Sequence, residues 1–219
     1  MKTKNYDIAI FDMDGTILNT LDDLADSMNY VLKQYNMPVR TIDEVRNFVG
    51  NGIRKLIERA AKEGTSEEKI DEMFNTFNEY YKTHCAVKTK AYDGIKELIV
   101  KLKAAGIKTA VISNKADYGV QALCEQYFDG LFDYAVGEKK GVRRKPCADS
   151  VYHVLEYFDI RQNRAVYIGD SDVDYKTSVN AGVDSIMVTW GFRDEEFLRA
   201  IGATRFVNRP EEIYDIIIV

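Results

Sequence analysis

From Tyr92 onward the chain alternates between two hydrophobic spacings, and that alternation limits its fold more than any other feature. Ile95, Leu98, Ile99 and Leu102 recur at helical intervals and stop at Gly106. Thr109-Ala110-Val111-Ile112 follows as a short, nearly continuous apolar run, the pattern of a buried strand. The cycle then repeats. Val120, Leu123, Cys124 and Tyr127 mark a helix and Tyr134-Ala135-Val136-Gly137 a strand. Val151, Val154, Leu155 and Phe158 mark a helix and Ala165-Val166-Tyr167-Ile168 a strand. A helix from Asp172 to Ala181 leads to a strand at Ser185-Ile186-Met187-Val188. Strands joined through helices connect by right-handed crossovers into a parallel sheet covered on both faces. The opening run, Tyr6 to Phe11, belongs to the same sheet. The expected fold class is therefore α/β, a doubly wound parallel sheet.

Between the first strand and the rest, the period is helical throughout. Leu21, Leu24, Ala25, Met28, Val31, Leu32 and Tyr35 form one stripe, stopped by Asn36-Met37-Pro38. A second helix fits 43–62 with a break at Gly50-Asn51-Gly52, and a third fits 66–84 behind Ser66 as N-cap. Residues 18–87 thus read as an all-helical insertion into a core made of 1–17 and 88–219. A chain of 219 residues with 46% hydrophobic and 30% charged residues has enough apolar material for such a core. Its net charge of −5 argues against a general nucleic-acid binder. Three irregularly spaced cysteines suit reduced thiols in the cytoplasm, and the two separated histidines, His84 and His153, do not suggest zinc. No apolar run is long enough to span a membrane, and the lysine-bearing start does not read as a leader peptide.

The predicted strand ends carry the chemistry. The first strand runs into Phe11-Asp12-Met13-Asp14-Gly15-Thr16. Side chains alternate along a strand, so Asp12 and Asp14 share a face at its C-terminal edge, where open α/β sheets hold ligands. Two acids so close repel unless a cation or a proton intervenes. Ser113-Asn114 directly follows the 109–112 strand, Lys145-Pro146 is read as opening a helix, and Gly169-Asp170-Ser171-Asp172-Val173-Asp174 follows the 165–168 strand. Carboxylates gathered without histidine or cysteine suit a hard cation bound through oxygen, Mg²⁺ above all. A lysine, a hydroxyl and turn N–H groups beside it suit a phosphoryl group.

These four segments, in this order, resemble the motifs of the haloacid dehalogenase-like hydrolase superfamily, and the helical insertion resembles that family's small cap. The resemblance implies that Asp12 attacks phosphorus and carries the phosphoryl group. It implies that Asp14 protonates the leaving oxygen and later activates water. Asp12, the Asp14 carbonyl and Asp170 would hold Mg²⁺, with Asp174 reaching it directly or through water. Asp14, Gly15, Thr16, Ser113, Asn114 and Lys145 would surround the phosphoryl oxygens. Thr20 to Leu24, Val49 to Ile53 and Ser113-Asn114-Lys115 look most like phosphoglycolate phosphatases, although Cys147-Ala148 replaces the usual continuation after Lys145-Pro146. The substrate expected is a small phosphorylated metabolite. A sugar-phosphate phosphatase, a nucleotidase or a pyrophosphatase fits the same scaffold, and a phospho-acceptor signalling module is the non-enzymatic alternative.

Three features stay open at this level. Gly50-Asn51-Gly52 is either a plain helix break or a loop that selects the leaving group, with Arg54 as an anion partner or as a solvated helix residue. Asp172 reads as solvated or as a helix N-cap. The run Lys139, Lys140, Arg143, Arg144 and Lys145 reads as compensation for an acidic pocket and as attraction for an anionic substrate.

Overall fold

The structure, a computed structural model, describes residues 5–218; the start of the chain on which the leader-peptide reading rests lies outside them. The chain forms two compact units, one comprising Asn19–Lys90 and the other the segments before and after it.

The larger unit opens with β1 (Ile8–Phe11). The chain leaves it through β2 (Leu18–Asn19) and re-enters through β3 (Lys90–Ala91), two short strands paired with each other. The helical unit holds α1 (Leu21–Gln34), α2 (Ile42–Phe48), α3 (Gly52–Ala60) and α4 (Glu67–His84). Its helix starts follow side-chain chemistry. Thr41 and Glu44 form a reciprocal capping box on α2, and the Ser66 hydroxyl accepts from the Lys69 N–H on α4. Met28, Val31, Leu32, Leu56, Ile57, Met73 and Phe77 fill its core. Asp23, at the start of α1, is buried and accepts from the N–H groups of Lys88 and Thr89 and from the Thr89 hydroxyl at 2.8–3.0 Å, which ties the two ends of the unit together.

After β3, helices and strands alternate as α5 (Ile95–Ala104), β4 (Lys108–Ala116), α6 (Asp117–Phe128), β5 (Tyr134–Glu138), α7 (Asp149–Phe158), β6 (Ala165–Gly169), α8 (Asp172–Ala181) and β7 (Asp184–Val188). The chain then adds α9 (Glu195–Ala200), β8 (Phe206–Val207) and α10 (Pro210–Ile217). The strands form one parallel sheet in the order β5-β4-β1-β6-β7-β8. This is the doubly wound α/β arrangement read from the alternation. Ile8, Ile10, Ile112, Val136, Val151, Val154 and Tyr167 build the core under α7. Phe11, Phe128 and Phe132 meet edge-to-face elsewhere in the unit.

Two expectations need correction. Ser113 and Asn114 do not follow β4 as a turn. They lie inside it, because β4 runs on to Ala116 across a shift in its pairing with β5. Lys145-Pro146 does not open a helix; α7 begins at Asp149. The elements after Val188 had no counterpart in the sequence reading.

Candidate active site

The order of the strands reverses at β1, with β4 on one side and β6 on the other. Such a switch point leaves a crevice at the carboxyl ends of the strands. Register puts Phe11 level with Val111 and with Ile168, so the segments starting at Asp12, Ser113 and Asp170 emerge around the same place.

Asp12, Asp170 and Asp174 are all buried, and one carboxylate oxygen from each lies within 4.8 Å of the others. Lys145 Nζ stands 2.7 Å from Asp12 Oδ1 and 2.7 Å from Asp174 Oδ1, with only 4% of its side chain exposed. Asp174 is fixed by the start of α8. Its Oδ2 accepts from the Ser171 hydroxyl at 2.6 Å and from the Ser171 N–H at 3.1 Å, while Ser171 caps the helix. The cap is therefore Ser171; Asp172 pairs with Lys176 at 3.0 Å. Asp170 Oδ2 accepts from the Phe192 N–H at 2.7 Å, and Oδ1 from the Thr16 hydroxyl at 3.2 Å. Gly15 has φ +86°, and any Cβ there would run into the Asp170 carboxylate, so only glycine closes this turn.

Three buried carboxylates share one ammonium, and the electrostatics follow. Burial, then the neighbouring Asp174, raises Asp12 well above the usual carboxylate range despite Lys145. Burial and Asp174 likewise push Asp170 up to about 7, against the pull of the Phe192 N–H and Lys145. Burial works against the Lys145 ammonium, but Asp12 and Asp174 outweigh it and hold its pKa well above that of an ordinary lysine. The cluster is short of positive charge. Its donors are all oxygen and converge, which fits a hard divalent cation and not a soft one.

Asp14 stands apart from this cluster. Its carboxylate pairs with Lys115, whose Nζ lies 2.9 and 3.2 Å from the two oxygens. The sequence marks Lys115 only within the resembling segment Ser113-Asn114-Lys115 and gives it no role, because its partner Asp14 lies 101 residues away. Asn114 Nδ2 donates to the Lys145 carbonyl at 3.1 Å, so this amide braces the lysine's loop. The N–H groups of Gly15 and Thr16 are taken up within the turn by the carbonyls of Leu18 and Met13. That differs from the expectation of phosphate-facing N–H groups; Gly15 shapes the turn against Asp170, and Thr16 bonds Asp170 through its hydroxyl. Ser113, Asn114, Lys139, Arg144 and Lys145 line a small polar recess, which accounts for part of the basic run. Trp190 Nε1 donates to the Thr16 carbonyl at 3.1 Å, whereas Tyr118 is half exposed.

In the helical unit, Gly50 and Gly52 have φ of +115° and +81°, and Asn51 precedes α3. Arg54 is engaged by three acids, pairing with Glu58 at 3.2 Å, with Glu67 at 2.5 Å and with Asp71.

A doubly wound sheet with acids at its switch point defines a class of catalytic scaffold, and sequence comparison gives the family. The chain belongs to the haloacid dehalogenase-like hydrolases, whose model matches residues 9–188. It is 33% identical over 205 residues to the phosphoglycolate phosphatase of Psychrobacter arcticus, covering 90% of this chain and 89% of that protein. It is 32% identical over 215 residues to that of Neisseria meningitidis, covering 94% and 91%. A crystal structure from Lactobacillus delbrueckii subsp. bulgaricus, provisionally named a phosphoglycolate phosphatase, superposes with a TM-score of 0.93 at 35% identity over 99% of each chain.

Proposed function

We propose that this chain hydrolyses small phosphomonoesters, phosphoglycolate first among them, through a phosphoaspartyl intermediate and with Mg²⁺. The observation that carries this reading is the set of Asp12, Asp170 and Asp174 around one ammonium at the sheet's switch point. The phosphoglycolate phosphatases it resembles over most of their length support the substrate class.

Asp12, Asp170 and Asp174 would hold the Mg²⁺ with the Asp14 carbonyl, and the bound ion supplies positive charge to the phosphoryl oxygens and to the carboxylates themselves. Asp12 supplies the nucleophilic oxygen. Its bond to phosphorus forms as the ester bond breaks, and the proton on the Asp14 carboxyl passes to the leaving oxygen. In the second half-reaction water attacks phosphorus and returns a proton to Asp14, and Asp12 is freed as inorganic phosphate departs. Lys145 and the Ser113 hydroxyl hold the phosphoryl oxygens, and Asn114 keeps Lys145 in place. The protein's part is positioning and electrostatic stabilisation, as phosphoryl transfer requires. We take the helical insertion, 18–87, as the cap of this enzyme and Gly50-Asn51-Gly52 as its selecting loop. Arg54 is left out because carboxylates already occupy its guanidinium.

Turnover of p-nitrophenyl phosphate and of phosphoglycolate, with Mg²⁺ and with a chelator, tests the reading. Metal-dependent release of phosphate from both supports it. A long-lived phosphoprotein without turnover would make the chain a signalling module instead. A panel of phosphorylated metabolites ranked by kcat/KM decides between phosphoglycolate and a sugar phosphate, nucleotide or pyrophosphate.

A further inference from the structure

We infer that Lys115 is the positioning residue for Asp14. It holds that carboxyl out of the metal-binding acids and toward the leaving oxygen. The inference rests on the phosphatase reading and adds a residue to its machinery.

The backbone is built to deliver this side chain. Ile112 pairs with Val136 and Ala116 with Glu138, so Ser113, Asn114 and Lys115 on β4 face Gly137 alone on β5. A bulge of this kind re-aims side chains, and all three of these are buried. Gly137 permits it, since a Cβ at that position would collide with the Lys115 carbonyl and the Asp117 backbone. The lysine stem then runs beside Gly119, where even a Cβ would make only ordinary contact with it, at 3.5–3.9 Å from Cδ, Cγ and Cε. The Lys115 N–H donates to the Ser113 hydroxyl at 3.2 Å, which fixes the start of the side chain. Its end reaches both oxygens of Asp14 with 4% of the side chain exposed. Burying an ammonium is costly unless it is partnered, so the lysine and Asp14 hold each other in place.

The two acids of Asp12-Met13-Asp14 are thereby divided between two lysines. Lys145 takes Asp12 into the cluster with Asp174, and Lys115 keeps Asp14 outside it. Asp14 is then available to give its proton to the leaving oxygen as the phosphorus–oxygen bond breaks and the Asp12–phosphorus bond forms. Proton delivery matters for an alkoxide leaving group and little for nitrophenolate, and this contrast exposes the role of Lys115.

The test is Lys115→Met, compared with wild type by kcat/KM on phosphoglycolate and on p-nitrophenyl phosphate. This constant reports the phosphorylation half-reaction. The expected loss is about 10²-fold on the alkyl ester and less than about threefold on the aryl ester. Lys115→Arg is expected to recover most of the alkyl activity. Adding Lys115→Met to Asp14→Asn should cost nothing further, because the two residues act as one unit. Equal losses on both esters, or additive losses in the double variant, overturn the inference while wild-type turnover leaves the phosphatase reading intact. A wild type that hydrolyses neither ester sinks both. If the Met variant does not fold, Lys115→Gln is read by the same ratio of the two substrates.

Discussion

Two regions of the molecule place one basic side chain among three carboxylates, and they behave in opposite ways. In the core unit Lys145 serves the cluster of Asp12, Asp170 and Asp174. In the helical unit Arg54 serves Glu58, Glu67 and Asp71. Each central cation faces three acids, although Lys55 also pairs with Glu58, but access to water differs. The Asp174 side chain is 0% exposed, whereas those of Glu67 and Asp71 are 78% and 63% exposed. Solvent screens the surplus charge around Arg54, so that group is a surface network of the kind that contributes little. No solvent screens the surplus around Lys145, and Asp12 and Asp170 rise far enough to compete for protons. Burial, and not the number of acids, turns a cluster into a candidate cation site.

The severest way to break this comparison is to remove its central acid. Asp12→Asn is expected to lower kcat by at least about 10⁴-fold, as loss of a nucleophile does. It should not lower the Tm of the metal-free protein, because it deletes a buried like charge. A variant that keeps turnover would show that the cluster is only structural. Next comes the turn that makes room for the cluster. Gly15→Ala drives a methyl into the Asp170 carboxylate, and we expect about a 10- to 100-fold weaker half-saturation by Mg²⁺ in steady-state assays. Gly64→Ala in the helical unit is the control. Gly64 also has positive φ, at +81°, but nothing lies within 4 Å of its Cβ position. It should cost about 1 kcal/mol of stability in denaturant titration and leave the Mg²⁺ dependence unchanged.

Much of the buried cluster is legible in the sequence, and the surface one is not. Asp12, Asp170 and Lys145 stand beside apolar runs or breaks, and alternating strands and helices bring strand ends together whatever the details. Asp174 was legible as a first-turn residue of α8, whose observed span matches the expected one. What failed was anything set by the path of the backbone within an element. The shift in β4 is invisible to periodicity, so the sequence puts Ser113 and Asn114 after the strand and marks Lys115 only as part of a resembling segment. The Phe192 N–H and the Thr16 hydroxyl reach Asp170 from 22 and 154 residues away, contacts that no local pattern encodes. The two-residue β8 is too short for any period to register. Of the partners of Arg54 only Glu58, one helical turn on, is local; Glu67 and Asp71 reach it from another helix.

A smaller effect sharpens the electrostatic side of the comparison. Asp170 has a folded pKa of about 7 against an ordinary 3.8. Between those values the ion-free folded state keeps a proton that the unfolded chain has released. Stability from this group is therefore greatest at the acidic end of that window and is lost as pH rises through it. A divalent cation takes the place of the proton. Mg²⁺ should raise Tm by a few degrees at about pH 8 and by much less at about pH 5, measured by calorimetry. An equal gain at both values would mean that the cation binds somewhere other than this cluster.

The smallest expected effect lies in the exposed network. Arg54→Ala removes three ion pairs, yet each is exposed to solvent and salt, so Tm should move by about 2 °C or less and by nothing measurable in high salt. Activity on p-nitrophenyl phosphate should be unchanged. The informative arm is KM for phosphates that carry a second anion. If Glu58, Glu67 and Asp71 saturate the guanidinium, KM for phosphoglycolate moves no more than KM for the aryl ester. A rise of about tenfold confined to the carboxylate-bearing substrate, equivalent to about 1.4 kcal/mol of recognition, would mean that Arg54 exchanges its carboxylates for the substrate's. The contrast between a screened surface network and a functional charge cluster would then have to be redrawn around exchange instead of burial.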